Sequence, residues 1–266
     1  MSLRIEKVYA DLVSPDGTVC VVYLASLRCA RAHHPYAGAQ LFRPDGTREC
    51  VRGRASDGQW LRRASADDME IRLELDSGPL ALRYRVEAGE WRPPGESPRV
   101  GLDWSVLMAR GEGTLTWPGG SHSFEGCGYV DRVTIDRAPR RLGISRLDWG
   151  RIHMSHSTTV YTGIEFRDRS RWEWTVRWPR DGQGPVAEPQ LPNGDLRLDS
   201  VRALHGGPAM QAAPDPTRRE RLVSRLLIGP AIDDRRLSRA TTPGAAQPDS
   251  GWAVHETVWR RRSSPA

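Results

Sequence analysis

Residues 124–131 read FEGCGYVD, which sets Tyr129 and Asp131 two apart directly after a Gly-Cys-Gly. Two apart on a β-strand is one face of the pleat. The phenol and the carboxyl therefore point the same way, side by side. On an inward face a carboxyl is costly to ionise, its pKa rises, and it can hold a proton near neutral pH and act as an acid. An arginine partner would do the reverse and make the group a base. Arg110, Arg132 and Arg151 are the candidates for that pairing.

Two more stretches set aromatic and ionisable side chains in line. In WSVLMAR, period-two alternation puts Trp104, Val106, Met108 and Arg110 on one face. In LDWGRIHM, Trp149, Arg151 and His153 share a face, and Gly150, Ile152 and Met154 share the other. The first of these latter rows is either a polar row in a cavity or an outer face. In RWEWTVRW, Trp172, Trp174, Val176 and Trp178 alternate with Arg171, Glu173, Thr175 and Arg177, the pattern of a half-buried strand with tryptophans in the core.

Other chemistries lack their motifs. There is no GxSxG elbow, and GEG at 111–113 and GCG at 126–128 lack the strand-to-helix setting of a dinucleotide fingerprint. His153 and His156 in HMSH would face opposite ways on a strand, and HHP at 33–35 reads as a loop. No metal and no cofactor is expected.

The elements that must position these residues read as hairpin after hairpin. KVYADLV and VCVVYLASL flank SPDGT; YAGAQLF and TRECVRG flank RPDG; MEIRLEL and LALRYRVE flank DSGP. Asp-Gly and Pro-Gly turns between short apolar runs indicate antiparallel β-structure. Helical periodicity is confined to about 65–70 and 232–239, and the absence of βαβ alternation excludes a Rossmann fold or a β/α barrel. Two blocks of similar size follow, residues 1–139 and 140–266, joined through the polar TIDRAPRRLG. Each suits a small up-and-down barrel, which closes its sheet and can hold one small ligand. Long loops are expected within 186–219 and 241–251.

The chain has 266 residues, a formal charge of +6 and a pI near 9.5. Its basic residues are 38 arginines and one lysine, Lys7. They are interspersed with Asp and Glu rather than gathered in a stripe, which argues against nucleic-acid binding. The N-terminus lacks an apolar signal core, and no run of about 18 apolar residues could span a bilayer. Cys20, Cys29, Cys50 and Cys127 form no CxxC pair. A reduced, cytoplasmic setting is expected, with possible contact at a membrane surface. The tail after Trp259 is expected to fray.

From Trp104 to His153 the chain resembles the central region of the carotenoid 1,2-hydratase (hydroxyneurosporene synthase) family. That family has a Trp-x-x-x-x-(Pro/Ala)-Arg segment, a Gly-x-Gly-Tyr-x-Asp segment and a Trp-x-Trp-Gly-Arg segment. They fall here on Trp104 with Arg110, on Gly126, Gly128, Tyr129 and Asp131, and on Trp149, Gly150 and Arg151. The chain departs from the family at Arg132 and Val133, where His-Asn is usual, and at Leu147, where the first Trp of the later segment would stand. The resemblance implies an all-β chain of two lipocalin-like antiparallel β-barrel domains, the AttH-type fold, which lipocalin-like Diels–Alderases also resemble. It implies catalysis by Trp104, Tyr129 and Asp131, without a cofactor.

Chemistry and resemblance meet on one reaction type. Hydrating a C=C bond begins with its protonation, for which a buried Asp131 is suited. Tyr129 would orient that carboxyl or a water, and the Trp104 ring would favour a developing cation by about 1–2 kcal/mol. Trp149, Arg151, His153, Met108 and Arg110 are the expected substrate contacts. Water capture makes a hydratase acting on a hydrophobic isoprenoid or polyene. Internal capture makes a terpene or polyketide cyclase, and a site that only shapes its substrate makes a pericyclase of Diels–Alderase type. A lipocalin-type lipid carrier is the non-catalytic alternative. The changed residues after Asp131 point toward a different substrate.

Overall fold

The computed structural model describes residues 3–29, 32–53, 61–63, 65–75, 77–94, 97, 99, 101–118, 123–181, 183–188, 196–208, 231–242 and 249–260. The chain divides into two compact units, Met1–Arg137 and Ala138–Ala266.

The first unit is a run of antiparallel strands: β1 (Leu3–Val13), β2 (Val19–Cys29), β3 (Ala32–Phe42), β4 (Arg48–Gly53), β5 (Leu61–Arg63), β6 (Asp68–Leu75), β7 (Gly78–Ala88), β8 (Leu102–Thr116) and β9 (Ser123–Ile135). The Pro-Asp-Gly turns closing the first and third hairpin connections place Gly17 at φ 86° and Gly46 at φ 89°, a conformation that glycine adopts without steric cost. In sheet order β4-β3-β2-β1-β9-β8-β7-β6-β5, an added β4–β6 pairing closes eight strands into a barrel. Closure removes the sheet edges.

Alternation then sorts each strand into two faces. Val8, Ala10 and Leu12 of β1, Cys20, Val22 and Leu24 of β2, Leu80, Leu82 and Tyr84 of β7 and Val130 of β9 turn into one buried apolar core. That core face is filled by side chains and is not a polar lumen. Lys7, Tyr9 and Asp11, Val21 and Tyr23, and Tyr129 and Asp131 occupy the opposite face.

The second unit opens with a single helical turn, α1 (Pro139–Leu142), within the segment read as an irregular joint. It continues as β10 (Ile144–His153), β11 (Ser157–Phe166), β12 (Arg171–Pro179), β13 (Val186–Glu188), β14 (Arg197–Pro208), β15 (Ala231–Thr241) and β16 (Ser250–Arg260). These form a seven-stranded antiparallel sheet in the order β13-β12-β11-β10-β16-β15-β14.

Three readings of local structure are corrected. Residues 232–239 are not helical but lie in β15, where Asp233, Arg235 and Leu237 share one buried face. Residues 65–70 are not helical: 65–67 are a bend and 68–70 begin β6. The His-His-Pro at 33–35 is inside β3, not in a loop. Within 186–219 the structure describes β13 and β14; residues 189–195 and 209–219 of the stretch expected to contain a long loop, like 243–248 and the tail from 261, lie outside the described residues. Among the described residues, no helix is long and apolar enough to cross a membrane.

Candidate active site

Tyr129 and Asp131 leave β9 on the same face, and β8 brings Trp104 alongside. Val106 is paired with Asp131 and Trp104 with Val133, so Trp104 is a diagonal neighbour of the carboxyl. Trp104 Nε1 donates to Asp131 Oδ2 at 3.2 Å. The Tyr129 hydroxyl donates to the same oxygen at 3.1 Å. All three side chains are buried, with Tyr129 at 0% and Asp131 at 3% exposure. The three residues of the sequence motif thus form one hydrogen-bonded cluster.

The glycines beside them make room rather than bind phosphate. Gly111 pairs with Gly128 and Gly113 with Gly126 across β8 and β9. A Cβ on Gly113 would come within 2.6 Å of the Tyr84 ring, and one on Gly128 would collide with that ring and stand 2.6 Å from the Asp11 carbonyl. The Tyr84 ring fills the space that the missing side chains leave. Its hydroxyl donates to the Asp11 carbonyl at 2.8 Å, so β7 is tied to β1 across the inside of the barrel.

Burial pushes the Asp131 carboxyl up to about 7, against an ordinary 3.8. The Lys7 charge and the hydrogen bonds from Tyr129 and Trp104 pull the other way, and Asp11 adds to the rise. Desolvation wins: among the described residues, the direct hydrogen bonds to the carboxylate come from the neutral Trp104 and Tyr129. Two of the three expected arginine partners are engaged elsewhere: Arg110 meets Glu87 at 2.6 Å, and Arg132 meets Glu6 at 3.3 Å. Both donors converge on Oδ2, which leaves Oδ1 to carry the proton of the neutral acid.

Met108 is not where simple alternation puts it. Register shifts between Val106 and Met108, and again before Gly111, break the period of β8. A bulge of this kind turns the following side chain over. Met108 therefore packs in the apolar core with Leu107 and Val130, away from the face of Trp104. Arg110 is 7% exposed and bound to Glu87.

In the second unit, Trp149, Arg151 and His153 share a buried face of β10, at 4%, 0% and 5% exposure. The choice between a buried row and an outer face is settled for burial. His153 Nδ1 lies 2.9 Å from the Thr158 hydroxyl of β11. Cross-strand pairing sets Trp149 beside Thr162 and Glu256, and Arg151 beside Val160 and Val254. Next along the sheet, Arg235 is 1% exposed and bound by Glu256 at 2.8 Å and Asp233 at 3.1 Å. Sequence reasoning missed this charged cluster because DDRRLSR has the look of a solvated segment. The other histidine of HMSH, His156, is in the turn and pairs with Asp249.

Lys7, Tyr9, Asp11 and Tyr23 were also missed, because only the register of β1 with β2 and β9 brings them to the cluster. The Tyr9 ring is 5.4 Å from Tyr23 and 6.3 Å from Tyr129, centroid to centroid.

No protein-family model and no curated protein sequence matches the chain. Solved structures do match it. The crystal structure of CghA with Sch210972 superposes with a TM-score of 0.65 at 12% identity, over 97% of this chain and 89% of that one. An AttH-like protein (NE1406) from Nitrosomonas europaea gives 0.58 at 15% identity, over 97% and 92%. Kievitone hydratase from Nectria haematococca gives 0.55 at 10% identity, over 96% and 88%. At such identities the likeness is one of fold, and it establishes this chain as all-β and lipocalin-like.

Proposed function

We propose that the protein is a cofactor-independent enzyme that protonates a C=C bond of a hydrophobic isoprenoid or polyene and adds water to it. The observation that carries this reading is the buried Asp131 carboxyl, raised to about 7 and held through one oxygen by Trp104 and Tyr129. A carboxyl of that kind is neutral over much of the physiological range and has a proton to give. In the reaction the Oδ1–H bond breaks and the alkene π pair takes the proton as a C–H bond. The carboxylate left behind keeps both hydrogen bonds on Oδ2, and each strengthens when its acceptor becomes charged. Water adds to the resulting carbocation, and the surplus proton of the oxonium returns to Asp131. The Trp104 ring is suited to shelter the cation. Trp149, Arg151 and His153, a buried aromatic and polar row, are proposed as substrate contacts; Met108, in the apolar core, is not.

A second reading uses the same acid. If an internal alkene or hydroxyl captures the cation before water does, the product is a ring. The fold shared with CghA, whose crystal structure holds the small molecule Sch210972, and with a named hydratase, supports keeping both outcomes.

The purified protein, incubated with an acyclic isoprenoid or a polyene extract in deuterated water, distinguishes them. Hydration gives a product heavier by one water with deuterium bound to carbon, and acid-initiated cyclisation gives an isomer that also carries carbon-bound deuterium. A new product with no carbon-bound deuterium would exclude acid initiation and leave a shape-only pericyclase. Tight binding with no product from any candidate would leave a carrier.

A further inference from the structure

In a chain with 38 arginines, the one lysine stands on the same sheet face as the candidate acid. Lys7 of β1 pairs with Ala25 of β2 on one side and Val133 of β9 on the other, while Tyr9 pairs with Tyr23 and Asp131. Tyr23, Tyr9 and Asp131 therefore form one row across three neighbouring strands, with Lys7 alongside. The Lys7 Nζ lies at the end of that row away from the acid, 4.8 Å from the centroid of the Tyr23 ring.

Two strand spacings, roughly 10 Å, separate the ends of the row. Aromatic rings fill the interval. The Tyr9 ring is 5.4 Å from that of Tyr23 and 6.3 Å from that of Tyr129, centroid to centroid. Burial is graded along the same path: Lys7 is half-buried, whereas Tyr23, Tyr9, Tyr129, Asp131 and Trp104 are buried.

Among the described residues, the Lys7 ammonium makes no hydrogen bond and no ion pair; its contact is the face of the Tyr23 ring. An ammonium carries three N–H donors, and an aromatic face attracts the charge without accepting them all. A cation with donors to spare, at the wetter end of an aromatic row, is matched by an anionic oxygen. Lysine fits the place physically, because its compact ammonium can rest on a ring and still turn an N–H toward a ligand.

We propose that Lys7 binds a carboxylate at the head of the substrate, so that the substrate is an isoprenoid or polyene acid. Its head meets Lys7, its chain crosses the rings of Tyr23 and Tyr9, and its reacting C=C bond reaches Asp131 and Trp104, roughly 10 Å along. An amphiphile laid this way keeps its charge paired and near water while its tail is buried, which avoids the cost of desolvating an unpaired ion. This assignment rests on the reading of Asp131 as the acid that protonates an alkene, and it narrows the substrate of that same site.

The acid and the alcohol of one acyclic isoprenoid, farnesoic acid and farnesol, test it, with dissociation constants read from quenching of tryptophan fluorescence. The wild-type protein should bind the acid about 10–100-fold more tightly than the alcohol. Lys7→Met should bring the acid down to the affinity of the alcohol, and Lys7→Arg, which keeps the charge, should restore most of the difference. Because Lys7 is the only lysine, protein grown with lysine labelled at Cε gives one signal that needs no assignment. That signal should move on addition of farnesoic acid and stay still with farnesol. Equal affinities, a preference that survives Lys7→Met, a lysine signal that ignores the acid, or no binding of the acid overturns the proposal and leaves the Tyr23 contact a structural one. If the variants fail to fold, the wild-type lysine signal decides alone. Failure of the underlying reading looks different. Acid binding through Lys7 with no carbon-bound deuterium from deuterated water removes the alkene-protonating role of Asp131 and leaves the carboxylate site, whereas deuterated product from an acid and an alcohol bound equally removes the role of Lys7 alone.

Discussion

Asp131 takes both of its hydrogen bonds on a single oxygen, and this has consequences for stability as well as for chemistry. The folded protein binds the carboxyl proton more tightly than the unfolded chain does, with values near 7 and 3.8. Between these two pH values the native state holds a proton that the unfolded state has lost, so the group's contribution to stability falls as pH rises and levels off above about 7. Asp131→Asn cannot ionise, and its amide oxygen can still accept from Trp104 and Tyr129. Thermal melts should therefore show the variant gaining on the wild type from about pH 4 to about pH 7; a constant difference would mean that the folded carboxyl has an ordinary pKa. In turnover the sign is the same. In the proposed reaction Asp131 must be protonated to act as the acid, so the rate should fall as pH rises through about 7, and Asp131→Asn should cost about 10²–10⁴-fold. Tyr129→Phe or Trp104→Phe removes one donor to the nascent carboxylate, worth roughly 10–100-fold in rate for a hydrogen bond to a charged group. At this scale the sequence was legible where spacing within one strand decides the outcome, as for Tyr129 and Asp131. Lys7 and Asp11 were not legible, because their proximity depends on the register of β1 against β9.

At the scale of elements, β8 and β9 set four glycines facing one another in two pairs, Gly111 with Gly128 and Gly113 with Gly126. No dinucleotide loop is needed to explain them: Tyr84 occupies the space beside Gly113 and Gly128, the Met108 side chain that beside Gly111 and the Val13 backbone that beside Gly126, and the Tyr84 hydroxyl reaches β1. Gly128→Ala would drive a methyl into the Tyr84 ring and against the Asp11 carbonyl, a case of overpacking that typically costs 1–3 kcal/mol. Tyr84→Leu should relieve part of that clash while losing the hydrogen bond to Asp11. A double-mutant cycle from urea unfolding should accordingly give a double variant less destabilised than the sum of its two parts; strict additivity would show that Tyr84 is not what excludes a side chain at 128. Turn chemistry made most hairpins readable, since Pro-Asp-Gly and similar stretches fix where a strand reverses. What failed was the inference that the charged residues of 232–239 face water. Asp233 and Arg235 looked like part of a solvated helix, yet they are buried on β15 and satisfy each other and Glu256 across the sheet. Alternation also failed at β8, where bulges turned Met108 into the core.

Over the whole molecule, the formal charge of +6 overstates how basic the surface is toward a partner. Many arginines are matched two residues along the same strand, which places both charges on one face. Arg146 meets Asp148 at 2.6 Å, Arg197 meets Asp199 at 2.8 Å, Arg236 meets Asp234 at 3.0 Å and Arg72 meets Glu70 at 3.1 Å. Such exposed pairs add little to stability, but each cancels a charge that would otherwise contribute to a long-range field. Among the described residues, arginines matched in this way serve local strand pairing rather than a shared basic track. A polyanion binds a protein by releasing counterions, and the logarithm of its affinity falls with the logarithm of salt at a slope of about −0.9 per phosphate neutralised. With its arginines matched in this way, the chain should neutralise few phosphates at once. A fluorescent DNA duplex titrated with the protein should show weak binding at low salt, a slope corresponding to about one or two phosphates, and no saturable binding near physiological ionic strength. Tight binding with a slope of about six or more phosphates would require a basic track that the strand ladders do not supply, and would move the protein out of the small-molecule class.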